Sequence, residues 1–429
     1  MPASAETTAP TARTEVGAID ALTSLRFIAA FAVVVLHYRD LLGPLPPWLL
    51  KGMVGGQYGV TFFFILSGFI LTYKYEAWFA RGVTDAGYWR FQRFRLARIY
   101  PIYLLGLLLD TPWHLIERLQ VGRLAEAAPS YWASWLLNLV GLQAWVPAVP
   151  YAMFWNTPAW SVAAELFFYA TFPFVTALLA RHLRTLGGVV TAFAAVIAAG
   201  VLLYAGVIHL MAYELQAGTQ TQYLVAVYNP LLRYSEFLAG CLAGQYFLRT
   251  RGLDCYLGAG LFRSQRNRNL VVTASLLAIG LRIASPDYTG PSSAAWLADV
   301  SVKYGIFILP FGLLILAVAN GRTWLSPLLD NPGQVLLGEA SYALYIVHWS
   351  VTSFLRMGFL GAAGTPGVHA LFLLGTVAFS VLCYRVIEVP WRQRLRGGPA
   401  AAPAQPMTHT APTPDKLNPA ARSPTQAMQ

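Results

Sequence analysis

Charged side chains are scarce in this sequence. Asp, Glu, Lys and Arg make up 11% of its 429 residues, where a water-soluble domain carries about 25%, and that shortage excludes an ordinary soluble fold. Acid is scarcer than base, with 19 Asp and Glu against 30 Lys and Arg. The basic residues lie in short segments between apolar runs rather than in one patch, which points to control of membrane topology and away from nucleic acid. Only three cysteines occur, Cys241 and Cys383 in apolar segments and Cys255 in a basic loop. They offer no disulfide framework, and no metal-ligand spacing is visible, so no metal is expected. Residues 1–18 lack a basic leader, so the first apolar run is expected to stay as an uncleaved anchor behind a disordered N-terminus. The Pro/Ala/Thr-rich tail over 397–429 cannot build a core and is expected to be disordered as well.

What the chain has instead is a series of apolar runs near the roughly 20 residues that cross a bilayer. They fall at 19–38, 58–74, 99–116, 162–180, 187–209, 229–249, 269–285, 301–319, 336–357 and 368–389, with a weaker stretch over 131–148. Lys74, Arg81, Arg90, Arg93, Arg95 and Arg98 separate the second run from the third, and Arg249, Arg251, Arg263, Arg266 and Arg268 follow the sixth. Both connections should be cytoplasmic. The third run then ends outside, and the run at 162–180 must start outside to reach Arg181 and Arg184. The stretch 131–148 therefore cannot be a single crossing. It holds Asn138, Gln143 and Pro147, and irregular backbone at membrane depth survives only where protein or a wet cavity surrounds it. The expected fold is an all-α polytopic membrane protein of about ten transmembrane helices, both termini cytoplasmic, plus one re-entrant or half-inserted segment. A helix lying on the outer membrane surface meets the same parity. No internal repeat is visible, which weighs against a secondary transporter.

Several polar residues fall inside these runs, where ionisable groups are costly and often functional. Arg26 and His37 share the first run. Eleven residues is about three turns, so they lie on one face roughly 16 Å apart. Snorkelling of Arg26 and an interfacial His37 is the bland alternative. In GVTFFFILSGFIL, Ser67-Gly68 suits close helix approach, with Ser67 as a nucleophile the lesser reading. Arg95 and Arg98 are three apart and share a helix face, which suits phosphate binding at an inner mouth; topology alone would also explain several arginines of this loop. Ser161 and Glu165 sit four apart in NTPAWSVAAELFFYATFPF, where Glu165 could orient a histidine, pair with Arg26 or simply sit near the outer interface; Arg233 and Glu236 suit a local ion pair, and His348 lies mid-run in GEASYALYIVHWS. Arg385, Glu388 and Arg392 read as an interfacial cluster.

The order of these motifs resembles the integral-membrane acyltransferase family 3, which includes O-antigen and exopolysaccharide O-acetylases. The ordered set is Arg26 and His37 in the first run, FFFILSGF, RFRLARIYPIY, WSVAAE, EFLAG, SYALYIVHW and IEVPWR, over roughly 19–396. Departures are Thr61, Leu166 and Ser350, at positions where many members carry Asp, an acidic residue and Pro. The resemblance implies a cytoplasmic-membrane O-acyltransferase. Its donor would be acyl-CoA, acetyl-CoA in the simplest case, with no resident cofactor. Its acceptor would be a hydroxyl of a surface glycan or its lipid-linked precursor, with a lipid or a macrolide-like molecule as the alternative. The catalytic residues would be His37, Arg26 and Glu165, the last orienting His37. Arg95, Arg98 and Arg93 would hold the CoA phosphates, and Ser67, Trp160, Ser161 and His348 would line the site. A flippase without chemistry is the rival class.

Overall fold

The computed structural model describes residues 12–120, 128–250, 260–285, 293–356 and 366–396, and no β-strand occurs among them. Each of the ten apolar runs is helical. The principal helices are α1 (Ala12–Tyr38), α2 (Tyr58–Phe79), α3 (Asp85–Gln120), α4 (Trp160–His182), α5 (Leu186–His209), α6 (Tyr234–Thr250), α7 (Gln265–Ala284), α8 (Ser293–Ala319), α9 (Ser341–Arg356) and α10 (Pro366–Cys383). Six described stretches are long and apolar enough to cross a membrane by length and composition, namely Asp20–Leu41, Pro47–Phe79, Asp85–Ile116, Thr157–His182, Leu186–Glu214 and Gly367–Leu395. The helices that fall short differ for local reasons. The expected run at 336–357 is broken, because a short helix, Pro332–Glu339, ends before α9 begins. The first helix starts at Ala12; Ala, Arg and Glu in its first turns are good helix formers. Residues 1–11, the tail over 397–429 and Cys255 lie outside the described residues.

Small residues let α2 and α6 pack backbone to backbone. A Cβ on Gly68 would run into the Phe237 carbonyl, and one on Gly240 into that of Ile65. Gly240 and Gly244 form a G-x-x-x-G step, the spacing that brings apolar helices together without a hydrophobic driving force. This is the packing role expected of Ser67-Gly68. Gly68→Val should therefore cost about 1–3 kcal/mol of stability, read as a lower melting temperature of detergent-solubilised protein; an unchanged melting temperature would show that the helices can separate freely.

Aromatic rings fill the space between α2, α4 and α6, with Phe64 and Phe168 at 5.0 Å and Phe168 and Phe237 at 4.8 Å. A buried ion pair crosses the same interface. Arg233 and Glu236 meet at 3.0 Å, as their spacing predicts. Thr61 on α2 joins them, accepting from Arg233 at 3.0 Å and donating to Glu236 at 3.0 Å. Trp160 and Phe64 flank the guanidinium, at 5.7 and 5.5 Å.

Between α3 and α4 the chain is broken into short pieces, a helix over Ala128–Leu139, a turn at Gly141 with φ +73°, and short helical turns at Gln143–Trp145, Val149–Ala152 and Thr157–Ala159. A helix of 12 residues rises about 18 Å, too short to cross a bilayer core of about 30 Å. Part of the irregular backbone is enclosed by protein, while Val140 and Leu142 are exposed. Asn138, Gln143 and Asn156 are buried. Gln143 donates to the Ala159 carbonyl at 3.1 Å, Asn156 to Ile346 of α9 at 3.0 Å, and Tyr100 of α3 to Leu139 at 2.9 Å. The segment thus reaches α9 at Ile346.

Candidate active site

The arginine-bearing ends of α2, α3, α4 and α6 meet at one end of the bundle, where Arg249 donates to the Leu183 carbonyl and Gln92 to that of Tyr169. Inward from this basic end lies a cavity holding about 780 Å³ of empty space, part of it open to solvent. The room open to a water-sized molecule inside it is only about 90 Å³, below the roughly 300–1,000 Å³ of ordinary small-molecule sites, so the cavity is a narrow slot. Its walls bring together six of the residues singled out in the sequence: Arg26 of α1, Ser67 of α2, Arg95 and Arg98 of α3, and Ser161 and Glu165 of α4.

Three guanidinium groups in one apolar chamber are the dominant electrostatic feature. Arg95 is buried, donates to Tyr75 Oη at 2.9 Å and lies over the Tyr75 ring at 5.1 Å; its Nε finds no acceptor among the described residues. Arg26 and Arg98 make no direct hydrogen bond to protein among the described residues, yet both line the cavity and feel the charges of Glu165 and Glu388. Guanidinium donors held in this way suit bidentate oxyanions such as phosphate. Arg93 does not share this position. It is exposed and packs over Phe94 at 5.9 Å. Arg95 follows it by two residues, more than half a helical turn, so a face that turns Arg95 and Arg98 inward turns Arg93 out.

The histidines lie beyond the wall opposite the basic end. His37 Nδ1 and His348 Nε2 are 3.0 Å apart, and the Trp349 ring stands edge-on to His37 at 5.2 Å. His348 is fully buried. Neither imidazole lines the cavity. Tyr345 connects the two places, since it lines the cavity and its ring lies 6.1 Å from that of His348. The Tyr345 hydroxyl accepts from Ser161 at 2.9 Å and donates to the Pro158 carbonyl at 3.0 Å. Phe63 meets Tyr345 edge to face at 5.9 Å, completing an aromatic partition on this side.

Two expected roles are corrected by this geometry. Glu165 does not orient His37: it accepts from Tyr169, one turn along α4, at 2.9 Å and faces the arginines. Burial beside three cations explains the difference, because a carboxylate there compensates charge. Trp160 is not a cavity wall; it packs against Phe64 at 6.0 Å and Tyr228 at 4.9 Å and flanks Arg233. Three residues escape a sequence reading, and a fourth, Glu388, reads there only as part of an interfacial cluster. Tyr75, Tyr169 and Tyr345 hold the charged or hydroxyl groups in place, and only Tyr169, four residues after Glu165, carries a readable signal. Glu388 is buried and faces Arg98 and Arg26, while Arg392 lies 4.0 Å away. The last helix carries a π-turn over Tyr384–Glu388, a local excess of one residue often found at functional sites. It turns Glu388 in and leaves Arg385 exposed.

Comparison with known proteins adds a family to this geometry. The model of the acyltransferase domain matches residues 19–385. The chain is 30% identical over 428 residues to the acyltransferase MdmB of Streptomyces mycarofaciens, covering 92% of this chain and 97% of that protein. It is 22% identical over 385 residues to the O-acetyltransferase OatA of Staphylococcus aureus (strain NCTC 8325), covering 87% of this chain and 57% of that longer protein. No solved structure matches.

Proposed function

This chain belongs to the acyltransferase family, and on that premise we propose that it moves an acyl group, acetyl in the simplest case, from acyl-CoA to a hydroxyl of a cell-envelope glycan or its lipid-linked precursor. About ten crossings, with both termini and the basic end on the cytoplasmic side of the cell membrane, fit the arginine-rich connections and the cavity's position. The observation that carries the reading is the convergence of Arg26, Arg95 and Arg98 on one chamber, the first of them on the helix that also bears His37. Arg95 and Arg98 hold the CoA phosphates. The pantetheine arm enters the chamber past Arg26, and the thioester reaches His37 only once the Phe63–Tyr345 wall swings aside, because His37 lies outside the chamber lining. His37 takes the proton of the acceptor hydroxyl as its oxygen attacks the thioester carbon. The C–O bond forms, the C–S bond breaks, and the departing thiolate takes the proton back from the imidazolium. A guanidinium or hydroxyl donor near the thioester stabilises the oxyanion.

Purified protein in detergent, given acetyl-CoA and envelope glycan, should release free CoA and acetylate the glycan. Arg98→Gln should raise the KM for acetyl-CoA by about 10- to 100-fold, the weight of a lost charge-assisted hydrogen bond, with a smaller effect on kcat. Comparing the envelope of a deletion strain with its parent by mass spectrometry should show a missing ester. Protein that is folded, binds acetyl-CoA and never releases CoA from it in the presence of envelope material would overturn the reading in favour of transport.

A further inference from the structure

The acyl-transfer reading above leaves His348 without a task, and the present inference rests on that reading. We infer that His348 is the positioning residue that fixes the tautomer of His37 and makes its Nε2 the basic nitrogen. The argument starts at the Leu344 carbonyl. His348 Nδ1 lies 3.1 Å from that oxygen. A carbonyl can only accept, so His348 Nδ1 carries the hydrogen. In a neutral imidazole the other nitrogen is then an acceptor, and His348 Nε2 offers its lone pair to the atom 3.0 Å away, His37 Nδ1. His37 Nδ1 must be the donor, which leaves the lone pair of its own ring on Nε2.

Ring geometry supports a true hydrogen bond rather than face-to-face stacking. The two imidazole planes are 17° apart and their centroids are separated by 5.2 Å. With the nitrogens 3.0 Å apart, that is nearly the longest separation the centroids can have. The line between the nitrogens therefore runs radially through both rings, along the N–H bond of one and the lone pair of the other. His348 is itself locked, since it is fully buried and spans a helix-internal carbonyl on one side and His37 on the other. The arrangement does for His37 what an orienting carboxylate does for a catalytic imidazole, but without a charge inside the membrane. In the reaction, the acceptor proton goes to His37 Nε2, the positive ring strengthens its Nδ1–H bond to His348, and the thiolate reclaims the proton from Nε2. His348 holds its own proton throughout.

Two substitutions of similar polarity separate this role from mere packing. His348→Gln can place an amide oxygen near the former Nε2 and accept from His37. His348→Asn keeps a donor near the Leu344 carbonyl but cannot reach His37. With acetyl-CoA and acceptor in detergent, His348→Asn should lower kcat by about 10²-fold. His348→Gln should stand at least about ten times above it, and the KM for acetyl-CoA should move less than about twofold in either, because His348 does not line the donor cavity. The proposal is overturned by a His348→Asn protein with wild-type kcat, by a His348→Gln protein that folds and is no better than His348→Asn, or by a loss carried in KM. Those outcomes are distinct from failure of the acyl-transfer reading, in which wild-type protein itself releases no CoA.

Discussion

Membranes carrying His37→Ala should contain a normal amount of folded protein and transfer acyl groups about 10² to 10⁴ times more slowly than wild type, the contribution typical of a positioned general base. The expectation follows from where His37 sits. It closes α1 on the face that also carries Arg26, and it meets a hydrogen-bonded histidine and a tryptophan edge. Removing the ring takes a partner from His348 but leaves that histidine bonded to Leu344 at 3.1 Å, so the helix contacts persist. The defect should be in kcat with the KM for the acyl donor close to wild type, the reverse of the split expected for Arg98→Gln. Rate measurement with purified protein and thermal unfolding of the same sample decide the matter. Full activity in His37→Ala removes the imidazole from the chemistry and with it the route drawn through α1.

The second large effect is on stability. Arg233→Leu should destabilise the protein by about 3–5 kcal/mol, because it leaves the Glu236 carboxylate buried without its cation. Thr61 would still donate one hydrogen bond to it, at 3.0 Å, which does not replace a charge held at 3.0 Å. The double variant Arg233→Leu with Glu236→Leu should recover most of the loss, since replacing a whole buried pair by apolar side chains is often close to neutral. Thermal or denaturant unfolding of the single and double variants gives the coupling directly. An Arg233→Leu protein as stable as wild type would show that the carboxylate is neutral or hydrated where it lies. Because Arg233 flanks Trp160 and Phe64 rather than entering the cavity, donor affinity of whatever folded protein remains should change little.

Helix positions were legible because an apolar run of bilayer length has few other uses, and the Ser67-Gly68 step announced close packing through its small side chains. The inward face of α3 was legible too: Arg95 and Arg98 are three residues apart, and that spacing alone predicted a shared direction that the cavity confirms. Arg93 was misplaced by treating one basic run as one site, although two residues of helix rotate a side chain to the other face. The meeting of His37 with His348 could not be read, because 311 residues separate them and nothing in either local pattern names the other. Glu388 was hidden for a different reason. A regular helix groups it with Arg385 as well as Arg392, and the π-turn at Tyr384–Glu388 takes Arg385 out of that group while Arg392 stays 4.0 Å away; no residue type marks the extra backbone step in advance. Of the two partners the sequence offers Glu165, a histidine or Arg26, Coulomb attraction in an apolar chamber favours the arginine.

The aromatic partition of Phe63 and Tyr345 has a consequence for the cell as well as for catalysis. A protein whose chambers joined from one face of a bilayer to the other would leak, and even a narrow thread of water would conduct protons down their gradient. In the proposed acyl transfer, two rings at 5.9 Å, one of them pinned by hydroxyl contacts to Ser161 and Pro158, would be the bulkhead against such a leak.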